Sequence, residues 1–151
     1  MGVRIAGPED ADVLARLQHD FNSEFSSPTP GPAVFAERMR ELLGGQPTIA
    51  LIAEDPAAGF AWMTLRPNPH YPGPVALLDE LYVVPELRSR GIGGELLERV
   101  FALAVERGCE ALEINVDEGD VDARRFYERH GCSATDPDTG ERALYYYREL
   151  G

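Results

Sequence analysis

Apolar positions change their spacing along the chain, and each change marks an element. Val3-Arg4-Ile5-Ala6 alternates with a period of two, as a short strand does. Gly7-Pro8-Glu9-Asp10 then reads as a helix start, and Val13, Leu14, Leu17 and Phe21 recur at helical spacing. Ser26 to Pro32 is rich in proline and serine and predicts a loop. Phe35, Met39, Leu42 and Leu43 form a second helical stripe, closed by Gly44-Gly45. The apolar runs Thr48 to Ala53 and Gly59 to Leu65, joined by residues 54–58, predict an antiparallel hairpin. A proline-rich turn at 67–74 leads into a third long strand, Val75 to Val84.

Beyond that strand the period returns to helical. Leu96, Leu97, Val100, Phe101 and Ala104 predict a helix from Glu95 to Arg107, with Gly108 as its cap. Ala111 to Val116 reads as a strand, and strand–helix–strand order implies a right-handed crossover with parallel pairing. A short helix capped by Asp120 or Asp122 ends at Gly131. Asp136 to Gly140 is a turn, and a last strand runs from Ala143 to Tyr147. The order β-α-α-β-β-β-α-β-α-β-β predicts a single α/β (α+β) domain over residues 1–151. Its sheet is mixed and mostly antiparallel, with about seven strands flanked by about four helices.

Composition narrows the function. A 44% hydrophobic content fits a globular core, and no apolar run approaches the roughly 20 residues that span a bilayer. The net charge is −12 and all 14 cations are arginine, which disfavours nucleic acid and anionic membranes and suits a cationic substrate. Without a signal sequence, Cys109 and Cys132 read as reduced thiols in a cytoplasmic protein. Together with the scattered His19, His70 and His130, they show no metal-ligand spacing. His19 reads as a surface residue, His130 as a partner of the helix dipole, and Trp62 as core.

The stretch with most chemistry is Arg88-Ser89-Arg90-Gly91-Ile92-Gly93-Gly94, between a strand and a helix. A glycine turn opening a helix concentrates unpaired N–H groups and the positive end of the helix dipole at one place, and arginines add donors for phosphate oxygens. The run lacks the Gly-Lys-Ser/Thr of a Walker A loop. Leu96 breaks the dinucleotide fingerprint.

Two motifs carry a family resemblance. Asp79-Glu80-Leu81-Tyr82-Val83-Val84-Pro85-Glu86-Leu87-Arg88-Ser89-Arg90-Gly91-Ile92-Gly93 resembles the cofactor motif of the GCN5-related N-acetyltransferases (GNAT). Asp120-Val121-Asp122-Ala123-Arg124-Arg125-Phe126-Tyr127-Glu128-Arg129-His130-Gly131-Cys132 is similar to that family's second signature. Asp120 stands where the family usually has asparagine, and Cys132 where an aromatic is usual. The resemblance implies acetyl-coenzyme A as cosubstrate. The backbone of Leu81, Tyr82 and Val83 would bond its pantetheine arm, lying as an extra strand where two parallel strands splay. Amides of Arg88, Ser89, Arg90, Gly91, Ile92, Gly93 and Gly94 would hold the pyrophosphate. Asp120 would lie near the cofactor's middle section, and Tyr127 near the thioester sulfur as proton donor to the leaving thiolate.

The expected reaction is direct acetyl transfer to a primary amine of a small molecule within a ternary complex. The amine must lose a proton, and Glu80 or Asp79 is its acceptor, directly or through water. Strand alternation sends these two carboxylates to opposite faces unless a bulge intervenes. The resemblance also implies a homodimer through the last strands, where Tyr145-Tyr146-Tyr147 offers an edge. Two other functions stay open: a non-catalytic acyl-coenzyme A sensor, and acetylation of a protein acceptor.

Overall fold

The computed structural model describes residues 2–45, 47–54 and 56–151. Its contacts divide the chain into two compact units, one ending at Ile114 and one spanning Asn115–Gly151.

The first unit is built on five strands in the order β1-β2-β3-β4-β5. These are β1 (Gly2–Ile5), β2 (Thr48–Glu54), β3 (Gly59–Arg66), β4 (Val75–Val83) and β5 (Leu112–Ile114). The first three pairings are antiparallel and β4–β5 is parallel, so the sheet is mixed and mostly antiparallel. The β2–β3 hairpin closes through the Ala58 N–H on the Ala53 carbonyl at 2.8 Å, while Asp55 of its predicted linker lies outside the described residues.

Both sheet faces are covered, which is why β2 and β3 are apolar almost throughout rather than alternating. On one face Ala50, Ile52, Phe60, Trp62 and Tyr82 pack against Leu14, Ala15 and Leu17 of α1 (Ala11–Glu24) and Ala36 and Met39 of α2 (Pro32–Leu43). α3 (Ile92–Glu106) packs across β2, β3 and β4 and buries Leu96, Leu97, Val100 and Leu103. Trp62 is core, as its place on a central strand predicts.

α3 begins at Ile92, three residues before the predicted Glu95. Glycine pairs are poor helix formers and read as loop, yet Gly93 and Gly94 form its first turn. Gly108, with φ +85°, ends the helix as predicted.

In the second unit, α4 (Val121–Arg129) is capped by Asp120, whose carboxylate accepts the Ala123 N–H at 3.1 Å. Thr135 and Arg142 form an isolated bridge around the 136–140 turn. The strand predicted over Ala143 to Tyr147 is absent. A strand needs a ladder partner along its backbone, and among the described residues the pairing of this segment stops at its first residue, where the Ala143 N–H bonds the Ala134 carbonyl at 2.7 Å. Likewise no strand follows Gly131, so the sheet has five strands rather than about seven among the described residues. Tyr145, Tyr146 and Tyr147 are exposed.

Candidate active site

The site in the first unit is organised by an irregularity in β4. Trp62 pairs with Glu80 and the next residue, Met63, pairs with Leu78, so Asp79 is an extra residue without a partner on β3. Thr64 lies two positions beyond Trp62 on the same face of β3, and its hydroxyl donates to Asp79 Oδ2 at 2.7 Å. The bulge therefore brings Asp79 and Glu80 to one face, the α1–α2 side of the sheet. Simple alternation would have put Asp79 with Leu81 and Val83.

The two acids differ in environment. Asp79 keeps solvent contact and its Thr64 hydrogen bond, although partial desolvation still raises it above the ordinary aspartate range. Glu80 is half-buried. Desolvation is the main cause that lifts its carboxyl above the ordinary range, a hydrogen bond from Gln18 on α1 opposes this, and the Asp79 charge adds to it. Glu80 is the more buried of the pair.

The bulge also changes which backbone groups face outward. The Leu65 N–H bonds the Pro47 carbonyl at 3.0 Å, so odd-numbered residues of β3 turn toward β2 and even-numbered ones toward β4. Tyr82, opposite Phe60, and Glu80, opposite Trp62, therefore turn their backbone to β3. Leu81 and Val83 turn theirs the other way. Pairing with β5 stops at Leu78–Ile114, so that edge has no strand neighbour among the described residues. Of the three residues expected to offer backbone bonds, Leu81 and Val83 face the open edge and Tyr82 does not. The Val83 carbonyl already accepts from Arg88 Nε at 2.8 Å.

The turn after β4 has the expected form. Ser89 and Gly91 take positive φ, +63° and +84°, and Gly91 is the N-cap of α3. No described side chain caps that helix start, so its first amides lack both intrahelical and side-chain partners. Arg90 is exposed beside it. The Arg88 guanidinium is held elsewhere, by a two-pronged pair with Glu24 at the end of α1 and by Val83, and it lies over the Tyr82 ring at 5.5 Å. Its amide bonds the Pro85 carbonyl at 3.4 Å. Arg88 thus ties α1 to the end of β4.

Asp120 and Tyr127 belong to the second unit. The Tyr127 ring meets Phe126 edge to face at 5.3 Å, and its carbonyl accepts the N–H of Cys132 at 3.0 Å. His130 Nδ1 contacts the Phe126 carbonyl at 2.8 Å. His19, expected at the surface, is partly buried and bonds the Thr29 hydroxyl at 2.9 Å. Gln18, Thr64 and Glu24 carry no local signal of their roles, because the acids and the arginine they meet lie far off in the chain.

A mixed sheet with a bulged central strand, an open strand edge and an uncapped helix start beyond it is the architecture of an acyltransferase that holds an extended thioester cosubstrate. Comparison with known proteins agrees. The acetyltransferase (GNAT) family model matches residues 14–132, and the chain belongs to that family as an acetyl-coenzyme A-dependent N-acetyltransferase. A solved protein from Arthrobacter sp. FB24, provisionally described as an acetyltransferase, is 49% identical, with a TM-score of 0.93 over 99% of this chain and 96% of that one. An uncharacterized N-acetyltransferase of Bacillus subtilis strain 168 is 27% identical, with 93% of each chain covered. An aminoglycoside N(6')-acetyltransferase type 1 of Serratia marcescens is 28% identical over 82% of this chain and 86% of its own.

The residues present fit acetyl-coenzyme A. Leu81 and the N–H of Val83 face an edge with no strand neighbour among the described residues, open to an extended amide chain, and the Gly91 turn with the first amides of α3 offers donors to a pyrophosphate.

Proposed function

We propose that the chain transfers acetyl from acetyl-coenzyme A to a primary amine of a small cationic molecule, with Glu80 as general base. The observation that carries this reading is the β4 bulge. It gathers two carboxylates on the face lined by α1, next to the strand edge that suits the cosubstrate.

The bound cosubstrate supplies an activated acetyl thioester. An alkyl ammonium is protonated at neutral pH and must release a proton before its nitrogen can attack. Glu80, half-buried and raised by desolvation, is suited to accept that proton, and Asp79 keeps a second negative charge nearby to hold the ammonium. The Leu81 N–H, turned to the open edge, is the donor for the developing oxyanion. Tyr127 is the proton source for the departing thiolate, and Asp120 supports the cofactor's middle section through the helix it caps. Transfer is direct, without an acyl-enzyme, since neither cysteine stands in either motif's reactive positions.

Charge supports a cationic acceptor. Asp79 and Glu80 share the α1–α2 face of the sheet, and the overall charge of −12 steers cations toward the protein. The aminoglycoside acetyltransferase among the relatives acts on such a molecule, so aminoglycosides and polyamines are the first acceptors to test. No described helix is long and apolar enough to cross a membrane, and both cysteines are free thiols, which suits a cytoplasmic enzyme. A homodimer would use the exposed tyrosine segment at the chain end. The test is thiol release from acetyl-coenzyme A with each amine in turn. Release with a small amine and none with protein acceptors supports the reading.

A further inference from the structure

Thr64 is the one uncharged polar side chain on β3, whose other residues are glycine or apolar up to the terminal Arg66. It is half-buried, pairs with Leu77 of β4 and lies two positions along from Trp62 on the α1–α2 face. An apolar residue would suit that place in a covered sheet. Its hydroxyl instead reaches across to the bulge and donates to Asp79 Oδ2 at 2.7 Å.

Asp79 has need of such a contact. In a regular strand the pleat and the cross-strand bonds fix where a side chain points. At a bulge the extra residue has no partner on β3, so both constraints are weakened. An aspartate side chain is short, with staggered positions about its first torsion and a broad second one. Thr64 is the opposite case, a β-branched residue in the regular part of its strand and stiff about its only torsion. Its hydroxyl therefore starts from a defined place, and donating to Oδ2 selects one direction for the carboxylate.

The choice of a hydroxyl matters. Six ion pairs join other acids to arginines among the described residues, and none includes Asp79 or Glu80. A guanidinium would also hold Asp79 in place, but it would neutralise the charge that a cationic acceptor needs. A hydroxyl fixes Oδ2 and leaves the negative charge and Oδ1 for the acceptor.

We propose that Thr64 is a positioning residue for acceptor binding: its hydroxyl holds the bulged Asp79 carboxylate on the face it shares with Glu80, with Oδ1 left to the ammonium. This rests on the reading of Asp79 as the group that holds a cationic acceptor.

The test measures KM and kcat for thiol release from acetyl-coenzyme A with spermidine. The titration of the Asp79 carboxyl is followed alongside, by carbon NMR of the labelled full-length protein. Thr64→Val keeps the branched shape and the strand preference and removes the donor. It is expected to raise KM for spermidine about fivefold with kcat nearly unchanged. The Asp79 titration should move upward, because the hydroxyl favours the charged form. Thr64→Ser keeps the donor and should restore both readouts. In an Asp79→Asn background, Thr64→Val should add nothing to KM. If Thr64→Val does not fold, Thr64→Ala takes its place. An unchanged KM, an unmoved Asp79 titration, or a rise in KM of the same size in the Asp79→Asn background overturns the proposal. If the parent releases no thiol with spermidine, a polyamine acceptor is excluded and the titration alone decides the role of Thr64. Movement in Thr64→Val that is reversed in Thr64→Ser then supports it, and no movement overturns it.

Discussion

Arg88 and Glu24, 64 residues apart in sequence, are joined by two hydrogen bonds of 2.7 Å each, so the end of α1 is tied to the segment that leads into the glycine turn. The Arg88 guanidinium holds the Glu24 carboxyl below the usual glutamate range, chiefly through those bonds. A depressed carboxyl contributes stability above its unfolded value and loses it as pH falls through the folded one. Glu24→Gln should lower stability at neutral pH by about 1 kcal/mol, since the pair is partly exposed, or about 2–4 °C in melting temperature. The gap between variant and parent should close in melts below about pH 4. A gap independent of pH would remove the ion pair as its cause.

Glu80→Gln should reduce kcat/KM by on the order of 10²–10⁴ and leave acetyl-coenzyme A affinity nearly unchanged. The parent's kcat/KM should rise with pH, because the carboxylate is the active form. Its acidic limb should lie above about 4.3, since burial raises Glu80. Retention of the limb in Glu80→Gln would assign the proton transfer to another group, Asp79 first.

Gly91→Val should weaken acetyl-coenzyme A binding at least tenfold, as read by calorimetry. A side chain at Gly91 would meet open space, so the penalty comes from its φ of +84°, where a β-branched residue is strained by about 1–2 kcal/mol or more. Tight binding by a folded Gly91→Val protein would place the pyrophosphate elsewhere.

The five strands, both long helices of the sheet faces and the glycine turn were legible in the sequence, because apolar spacing and turn residues are local signals. The bulge was not: alternation gives Asp79 and Glu80 opposite faces, and only the register of Trp62 and Met63 on β3 reverses that. Nor was the fate of Arg88, whose place in the motif suggested a phosphate ligand while its partner Glu24 is set by tertiary packing. Ala143 to Tyr147 has strand-like residues and so predicts a final strand, but a strand exists only with a partner.

Tyr127→Phe should cut turnover by on the order of 10²-fold with little change in cofactor affinity. Single-turnover thiol release in parent and variant checks this. Equal rates would exclude the phenol as proton source.

Acetyl transfer to a small cationic amine stands or falls on steady-state thiol release from acetyl-coenzyme A with a panel of polyamines and aminoglycosides. Saturable, enzyme-dependent release with at least one of them, lost in Glu80→Gln, is the expected result. Tight acetyl-coenzyme A binding with no release from any amine would contradict it and mark the chain as a cofactor-binding module.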